Sequence, residues 1–278
     1  MKRTGLRNRY RLAVEMEPVQ DQSLAAPWRL LRRAESMAVL VVLDLNGRLI
    51  DRYGGATTGL WPPDSFAWLG AIQAKTDALR DEYVRYADEW VLAHVAEFAG
   101  LDPDDPRTRQ SVPVSGGTWR NVPLLANGQW IPAVASKLPV TRDAFGPVRG
   151  MVNLGYSVLD PHSHIGAHRD PDRGALRVQV PIIVPGEPGQ CRIRVGDTTV
   201  AWTEGEAVVF DLTTQHEVWN DADYPRVLLM AEVRMPLPFW LDLCNRLALV
   251  VYRAHPSHRN VPERMAVLSQ RRRDPSAA

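Results

Sequence analysis

A mainly β fold, a jelly roll flanked by helices, is predicted by three features of the sequence. From Val148 onward short apolar runs recur between Gly, Pro and Asp turns with no helix-length segment between them, the pattern of an antiparallel sandwich or barrel. Before and after this stretch apolar residues recur at steps of three and four, as on amphipathic helices. The composition, 45% apolar and 23% charged over 278 residues, belongs to a globular chain able to bury a large core. It excludes collagen, a disordered chain and a disulfide-stapled mini-protein.

Residues 1–61 read as an N-terminal extension with a hairpin. Val39-Leu40-Val41-Val42-Leu43 and Leu49-Ile50 would be its strands, and Asn46-Gly47 supplies the two positive φ values of a type I′ turn. Residues 62–136 read as a helical support region. Pro62-Pro63-Asp64-Ser65 offers a cap, and Phe66, Leu69, Ile72, Thr76, Leu79, Tyr83, Tyr86 and Trp90 predict one amphipathic helix of about seven turns. The stretch from Gly100 to Gly117 is rich in breakers; its Asp102, Asp104 and Asp105 lack the glycine and glutamate of a calcium-binding EF-hand loop. Residues 137–238 form the expected core, with strands at Met151–Leu159, Ala175–Val184, Cys191–Val195, Thr198–Trp202, Ala207–Leu212 and Arg226–Arg234. Residues 239–278 carry an amphipathic helix, with Phe239, Leu243, Leu247, Val250 and Val251 on one face, and a basic tail closing in Arg271-Arg272-Arg273.

Charge is nearly balanced, 33 basic against 32 acidic groups, but unevenly spread. Residues 1–35 hold eight basic and four acidic groups and residues 251–278 hold six and two, so both ends are basic and the body acidic. The tail arginines have no interleaved aromatics, which argues against a nucleic-acid partner and leaves peripheral membrane contact through the tail as an option. The longest apolar run, Met37 to Leu43, is seven residues, far short of the roughly 20 of a membrane span. No apolar segment follows Met1-Lys2-Arg3 as in a secretory leader. Cys191 and Cys244 sit among apolar neighbours and read as reduced thiols, so a cytoplasmic protein is expected.

The chemistry concentrates in Asp160-Pro161-His162-Ser163-His164-Ile165-Gly166-Ala167-His168-Arg169-Asp170. On an extended segment His168 and Asp170 share a face, their Cα atoms roughly 6 to 7 Å apart, close enough to converge on one ion. His216, after the strand Ala207–Leu212, is the candidate third ligand. Two histidines and one carboxylate leave three positions open, the ligand set of non-haem Fe(II) oxygenases. Arg226 starts the strand that would run back beside the metal, and a buried guanidinium suits the far carboxylate of a dicarboxylate cosubstrate. Ser157 could add a hydroxyl donor, and Arg177 and Gln179 share one strand face from which to reach the nearer carboxylate.

These residues carry a resemblance. Ser157-Val158-Leu159, His164-Ile165, His168-Arg169, Leu176-Arg177, Ile193-Arg194-Val195-Gly196-Asp197, Trp202, Glu204-Gly205, Val209-Phe210-Asp211, His216-Glu217-Val218-Trp219-Asn220-Asp221 and Pro225-Arg226-Val227 resemble the aspartyl/asparaginyl β-hydroxylase family, continuously over about Lys137 to Met235. The resemblance implies a cupin-like double-stranded β-helix, Fe(II), 2-oxoglutarate and O2. It implies His168 and His216 as iron ligands, Ser157 and Arg226 on the distal carboxylate of 2-oxoglutarate, and Arg177 near its keto-acid end. His164, Arg169 and Trp219 are expected around the site or on its substrate side, His162 in solvent. The chain departs from the family in three ways. Asp170 stands where the animal branch has glycine, which restores a third protein ligand and disfavours halogenation. Gln179 stands where the family often has histidine. The helical repeats that present protein substrates to the animal enzyme are missing.

The expected activity is hydroxylation of an unactivated carbon, such as Cβ of Asp or Asn, in a free, carrier-bound or peptide-borne amino acid, with release of succinate and CO2. Hydroxylation of a lipid acyl chain is the runner-up. A cupin-like metal enzyme, suggested by His162-x-His164, lacks the glutamate that should follow and leaves Arg226 unused; a non-catalytic 2-oxoglutarate-binding module leaves the ligand trio unused.

Overall fold

The structure, a computed structural model, describes residues 26–55, 59–87, 93–94, 97, 114–170, 172–254, 262–263 and 267. Two antiparallel sheets form its centre. The larger runs in the order β1 (Leu60–Trp61), β11 (Val208–Asp211), β8 (Ala175–Ile183), β13 (Arg226–Arg234), β6 (Met151–Leu159), β4 (Trp119–Ala126) and β2 (Ala93–His94), with β5 (Gln129–Trp130) paired to β4. The smaller runs β10 (Thr198–Ala201), β9 (Cys191–Val195), β12 (His216–Asn220), β7 (Ser163–His168) and β3 (Val114–Ser115). From β6 to β13 the chain passes back and forth between the two sheets, the interleaving of a jelly roll and the mainly β, cupin-like fold expected.

Side-chain alternation divides the core in two. Ile165, Ile193, Val195, Trp202, Phe210, Val218 and Leu228 fill the space between the sheets. Tyr156, Val178, Val180, Ile182, Leu229, Ala231 and Val233 line the outer face of the larger sheet. That face is covered by α2 (Leu69–Gln73), α3 (Thr76–Tyr86), α4 (Pro132–Ala135) and α5 (Pro139–Phe145) through Leu69, Ile72, Leu79, Tyr83, Val134 and Phe145. Strand β8 is buried on both faces, which explains why its sequence is a nearly unbroken apolar run. Two longer helices, α1 (Ala26–Tyr53) and α6 (Phe239–Ala254), pack against each other, joined by Asn46 donating to Asn245 at 3.0 Å.

Several expectations are corrected. The hairpin predicted around Asn46-Gly47 is part of helix α1. Both residues serve packing instead: Asn46 makes the buried bond to Asn245, and a Cβ on Gly47 would already touch Arg173 Cβ at 3.4 Å. The Asn-Gly turn with positive φ does exist, at Asn127 (51°) and Gly128 (79°), where it joins β4 to β5. The single long helix expected from Phe66 is broken at Lys75, and Thr76 Oγ1 donates to the Gln73 carbonyl across the break. Residues 62–136 are not only helical, since β4 pairs with β6 inside the larger sheet. Trp90, Asp102 to Asp105 and Arg271 to Arg273 lie outside the described residues. Of the two free thiols Cys191 is buried and Cys244 half-buried. Among the described residues no helix is long and apolar enough to cross a membrane.

Candidate metal centre

His168 ends β7 and His216 begins β12, and the two are paired partners in the smaller sheet. A β-bulge between this pair and Ile165–Val218 shifts the register. Its consequence is directional: simple alternation would put His164 and His168 on one face, but the extra residue turns His168 inward beside His216 while His164 points out. The two imidazoles lie 4.2 Å apart, tilted by 55°. Asp170 follows β7, its N–H donating to the Leu212 carbonyl at 3.0 Å. One ligand atom from each of His168, Asp170 and His216 lies within 4.8 Å of the others, so the three can hold a metal ion.

The hydrogen bonds prepare the histidines for this. His168 Nδ1 faces the Gly166 carbonyl at 2.8 Å and His216 Nδ1 faces the Thr214 carbonyl at 2.9 Å. A carbonyl accepts only, so each Nδ1 carries the proton and each Nε2 keeps its lone pair for a cation. Burial, with the neighbouring His168, pushes the His216 pKa down to about 4, against the opposing pull of Asp170. Burial would raise the Asp170 carboxyl, but the Arg177 guanidinium and the two imidazoles outweigh it and hold the group below the ordinary carboxylate range. Arg177 Nη2 bridges Asp170 Oδ2 at 2.8 Å and Glu232 Oε1 at 2.7 Å, and Asn153 Nδ2 donates to Glu232 Oε2 at 2.5 Å.

Deeper between the sheets lies a second group of polar side chains. Arg226, Met230 and Glu232 on β13, Ser157 on β6, and Arg177 and Gln179 on β8 face the same side, as the register of β13 with its two neighbours requires. Arg226 is 1% exposed, and its guanidinium lies 4.8 Å above the Trp202 ring. No carboxylate among the described residues pairs with it, its Nε has no hydrogen-bond partner, and burial pushes its pKa down to about 9. Gln179 Oε1 and Trp202 Nε1 are also buried without partners. Ser157 Oγ accepts from Trp119 Nε1 at 2.9 Å, which leaves the serine hydroxyl hydrogen available to another acceptor.

The remaining expected residues lie elsewhere. His164 and Trp219 are on the outer face of the smaller sheet, stacked at 5.1 Å, with His164 bonded to Glu217 and Arg192 over the Trp219 ring. They are corrected from the surround of the site to a surface cluster. Arg169 turns out to cap the Thr213 carbonyl at 2.7 Å, and His162 is exposed beside Asp223. The sequence reading missed Glu232, Asn153 and Trp119. Glu232 had a signal: it is a lone acid in an apolar strand, six residues after Arg226 and so on the same face.

Two sheets rolled around a two-histidine, one-carboxylate face define a jelly roll with a candidate metal centre. The family model for aspartyl/asparaginyl β-hydroxylases matches residues 73–236, more than half of the chain. The protein therefore belongs to the aspartyl/asparaginyl β-hydroxylase family. An ornithine lipid ester-linked acyl 2-hydroxylase of Rhizobium tropici is 30% identical over 173 residues, 62% of this chain and 59% of that protein. The aspartyl/asparaginyl β-hydroxylase of Mus musculus is 28% identical over 141 residues, 48% of this chain. The chain thus spans 59% of the first relative's length and 18% of the second's. Among solved structures, a cupin 2 conserved barrel domain protein from Salinispora arenicola covers 46% of this chain and 83% of its own, with 12% identity and a TM-score of 0.28.

Proposed function

We propose that the protein is an Fe(II)- and 2-oxoglutarate-dependent dioxygenase that hydroxylates an unactivated carbon of an amino acid, free, carrier-bound or within a peptide. The observation that carries the reading is Arg226, a buried cation with no carboxylate partner among the described residues, on the same sheet face as Arg177, the partner of Asp170. A fully desolvated guanidinium without a carboxylate is costly, and a dicarboxylate cosubstrate would supply the missing partner. The residues fit the cofactors on both counts: three convergent ligand atoms for the iron, one orphaned cation for the cosubstrate.

Each side chain then has a role. His168 and His216 would hold Fe(II) through Nε2, and Asp170 through the oxygen that Arg177 does not occupy. With O2, the bound iron and 2-oxoglutarate supply the oxidising power that exchanges a C–H hydrogen for hydroxyl, yielding succinate and CO2. Arg226 and Ser157 would grip the distal carboxylate, the serine by donating the hydrogen that Trp119 leaves free. Arg177 contributes mainly by positioning Asp170, because its Nη2 is committed to Asp170 and Glu232; only its Nε lacks a partner and could meet the cosubstrate. Trp202, Phe210, Leu228 and Ile193 keep water from the pair of carboxylates.

The lipid relative and the apolar outer face of α1 and α6 favour a second reading, hydroxylation of a lipid-borne acyl chain at the same centre. Both readings share one test. Purified protein with Fe(II), ascorbate and 2-oxoglutarate should release succinate, faster with the true substrate, and His216→Ala should release none. A wild-type protein that holds iron yet makes no succinate with any amino acid, peptide or lipid would return the cupin-like metal enzyme to the lead.

A further inference from the structure

The apolar stripe expected on the last helix does not enter the core. In α6, Leu241, Asn245, Ala248 and Leu249 turn inward, and Phe239 (86% exposed), Leu243 (50%), Leu247 (60%) and Val250 (61%) turn to solvent. Helix α1 repeats the arrangement: Leu40, Leu43 and Ile50 are buried, while Met37, Val41 and Leu45, spaced one turn apart, are exposed. The helices run antiparallel, since Asn46 meets Asn245 and Tyr53 meets Trp240, ring centroids 5.6 Å apart. Each packed helix thus turns an apolar stripe to solvent, an apolar strip on the outside of the pair, with Tyr53 and Trp240 at one end and the exposed Arg48, Arg52 and Arg246 on the same helices. A strip of this kind in water marks an interaction surface.

Charge identifies the partner. Because the helices are antiparallel, the chain enters α1 and leaves α6 at the same end of the pair. The sequence running into and out of that end, the first turns of α1 and the last residues of α6 included, is basic on both sides, eight basic against four acidic groups in residues 1–35 and six against two in residues 251–278, while the rest of the chain is acidic. We propose that the outer face of α1 and α6 lies on an anionic lipid surface, with the apolar strip in the headgroup boundary and the net positive charge of residues 1–35 and 251–278 favouring anionic over neutral lipid. Tyr53 and Trp240 have the amphipathic rings that settle at such a boundary. The cations Arg48 and Arg246 are locally paired with Asp44 and Asp242, so the attraction comes from the chain ends and the anchoring from the apolar strip.

The inner side of the docked helix pair reaches the segment beside the metal centre. Asp51 on α1 pairs with Arg173 at 2.8 Å, and Asn245 on α6 donates to the Gly174 carbonyl at 2.9 Å, so the helix pair grips the segment that follows ligand Asp170. The proposal stands on the helix pair and the charge pattern, whatever the centre hydroxylates.

The test is co-sedimentation of the full chain with vesicles of phosphatidylcholine alone and with one third phosphatidylglycerol, at low and at 0.5 M salt. The expected result is binding to the anionic vesicles, weakened by salt, and a fall in partition of about tenfold or more in Leu243→Glu/Leu247→Glu and separately in Val41→Glu. These positions are exposed, so the variants should keep the wild-type melting temperature and Fe(II) affinity. Equal binding by the variants would overturn the proposal. So would a wild type that ignores vesicles, whether it sediments as a monomer or as a dimer that the same substitutions dissociate; the dimer would assign the strip to a second copy of the chain.

Discussion

Two buried arginines, Arg173 and Arg226, show how structure and function divide this molecule. Arg173 is 7% exposed and paired with anions: it meets Asp51 at 2.8 Å, the fully buried Asp211 at 3.0 Å, and the Met235 sulfur. Arg226 is more deeply buried and, among the described residues, is matched by the Trp202 ring and no carboxylate. The first is an ion pair that ties α1 to the sheet. On the proposed function the second is a charge kept desolvated for a cosubstrate, and the fold tolerates its cost.

Exchanging each arginine for methionine sharpens the contrast. Arg226→Met should weaken 2-oxoglutarate binding by about 2–4 kcal/mol, while raising the thermal stability of the cofactor-free protein by about 1 kcal/mol, because an unpaired buried charge is removed. Arg173→Met should do the opposite: it should leave cosubstrate affinity in place and cost about 3 kcal/mol of folding stability, since Asp211 is then left without its cation. Calorimetry with and without 2-oxoglutarate reads both. A stabilising effect in neither, or a binding loss in both, would break the comparison.

A pH dependence follows from the same pair. Burial raises the Asp211 carboxyl even with Arg173 and Thr213 opposing it, so its charged form is less favoured in the folded than in the unfolded protein. A raised folded pKa contributes stability that is present at low pH and lost as pH rises. Without Arg173 the preference strengthens, so the deficit of Arg173→Met should shrink between neutral pH and about pH 4, measured against wild type at each pH.

A smaller effect tests the clamp on the metal side. Glu232→Gln removes the second anion on Arg177, which is then held by Asp170 alone. Affinity for Fe(II), or for Co(II) followed by its visible absorption, should fall by about tenfold, with the melting temperature of the metal-free protein little changed. Ser157→Ala should be milder still, about 1 kcal/mol in 2-oxoglutarate affinity.

Much of this was legible in the sequence, for physical reasons that differ by element. Strands β6, β9 and β13 coincide with their expected bounds because each is a run of apolar and β-branched residues between Gly, Pro or Asp turns. The convergence of His168, Asp170 and His216 and the burial of Arg226 could be anticipated because a candidate metal centre and a buried cation need rare residue types at restricted spacings. What failed depended on tertiary partners. Asn46-Gly47 and Asn127-Gly128 are the same dipeptide, and only contact with Asn245 and Arg173 makes the first helical. The bulge in β7, which sends His164 out and His168 in, has no local signature. The fate of α6 also escaped, because periodicity shows that a helix has an apolar face but not which way it points.

The central claim is that Arg226 and the His168–Asp170–His216 trio form one site for 2-oxoglutarate and iron. Anaerobic titration of the metal-free protein with Fe(II) and 2-oxoglutarate tests it most directly, through the visible charge-transfer band of the chelate. The account predicts that the band forms in the wild type, is absent in His216→Ala, and in Arg226→Met forms only at far higher 2-oxoglutarate. A wild-type protein that binds iron without the band, or an Arg226→Met variant that titrates like wild type, would contradict it.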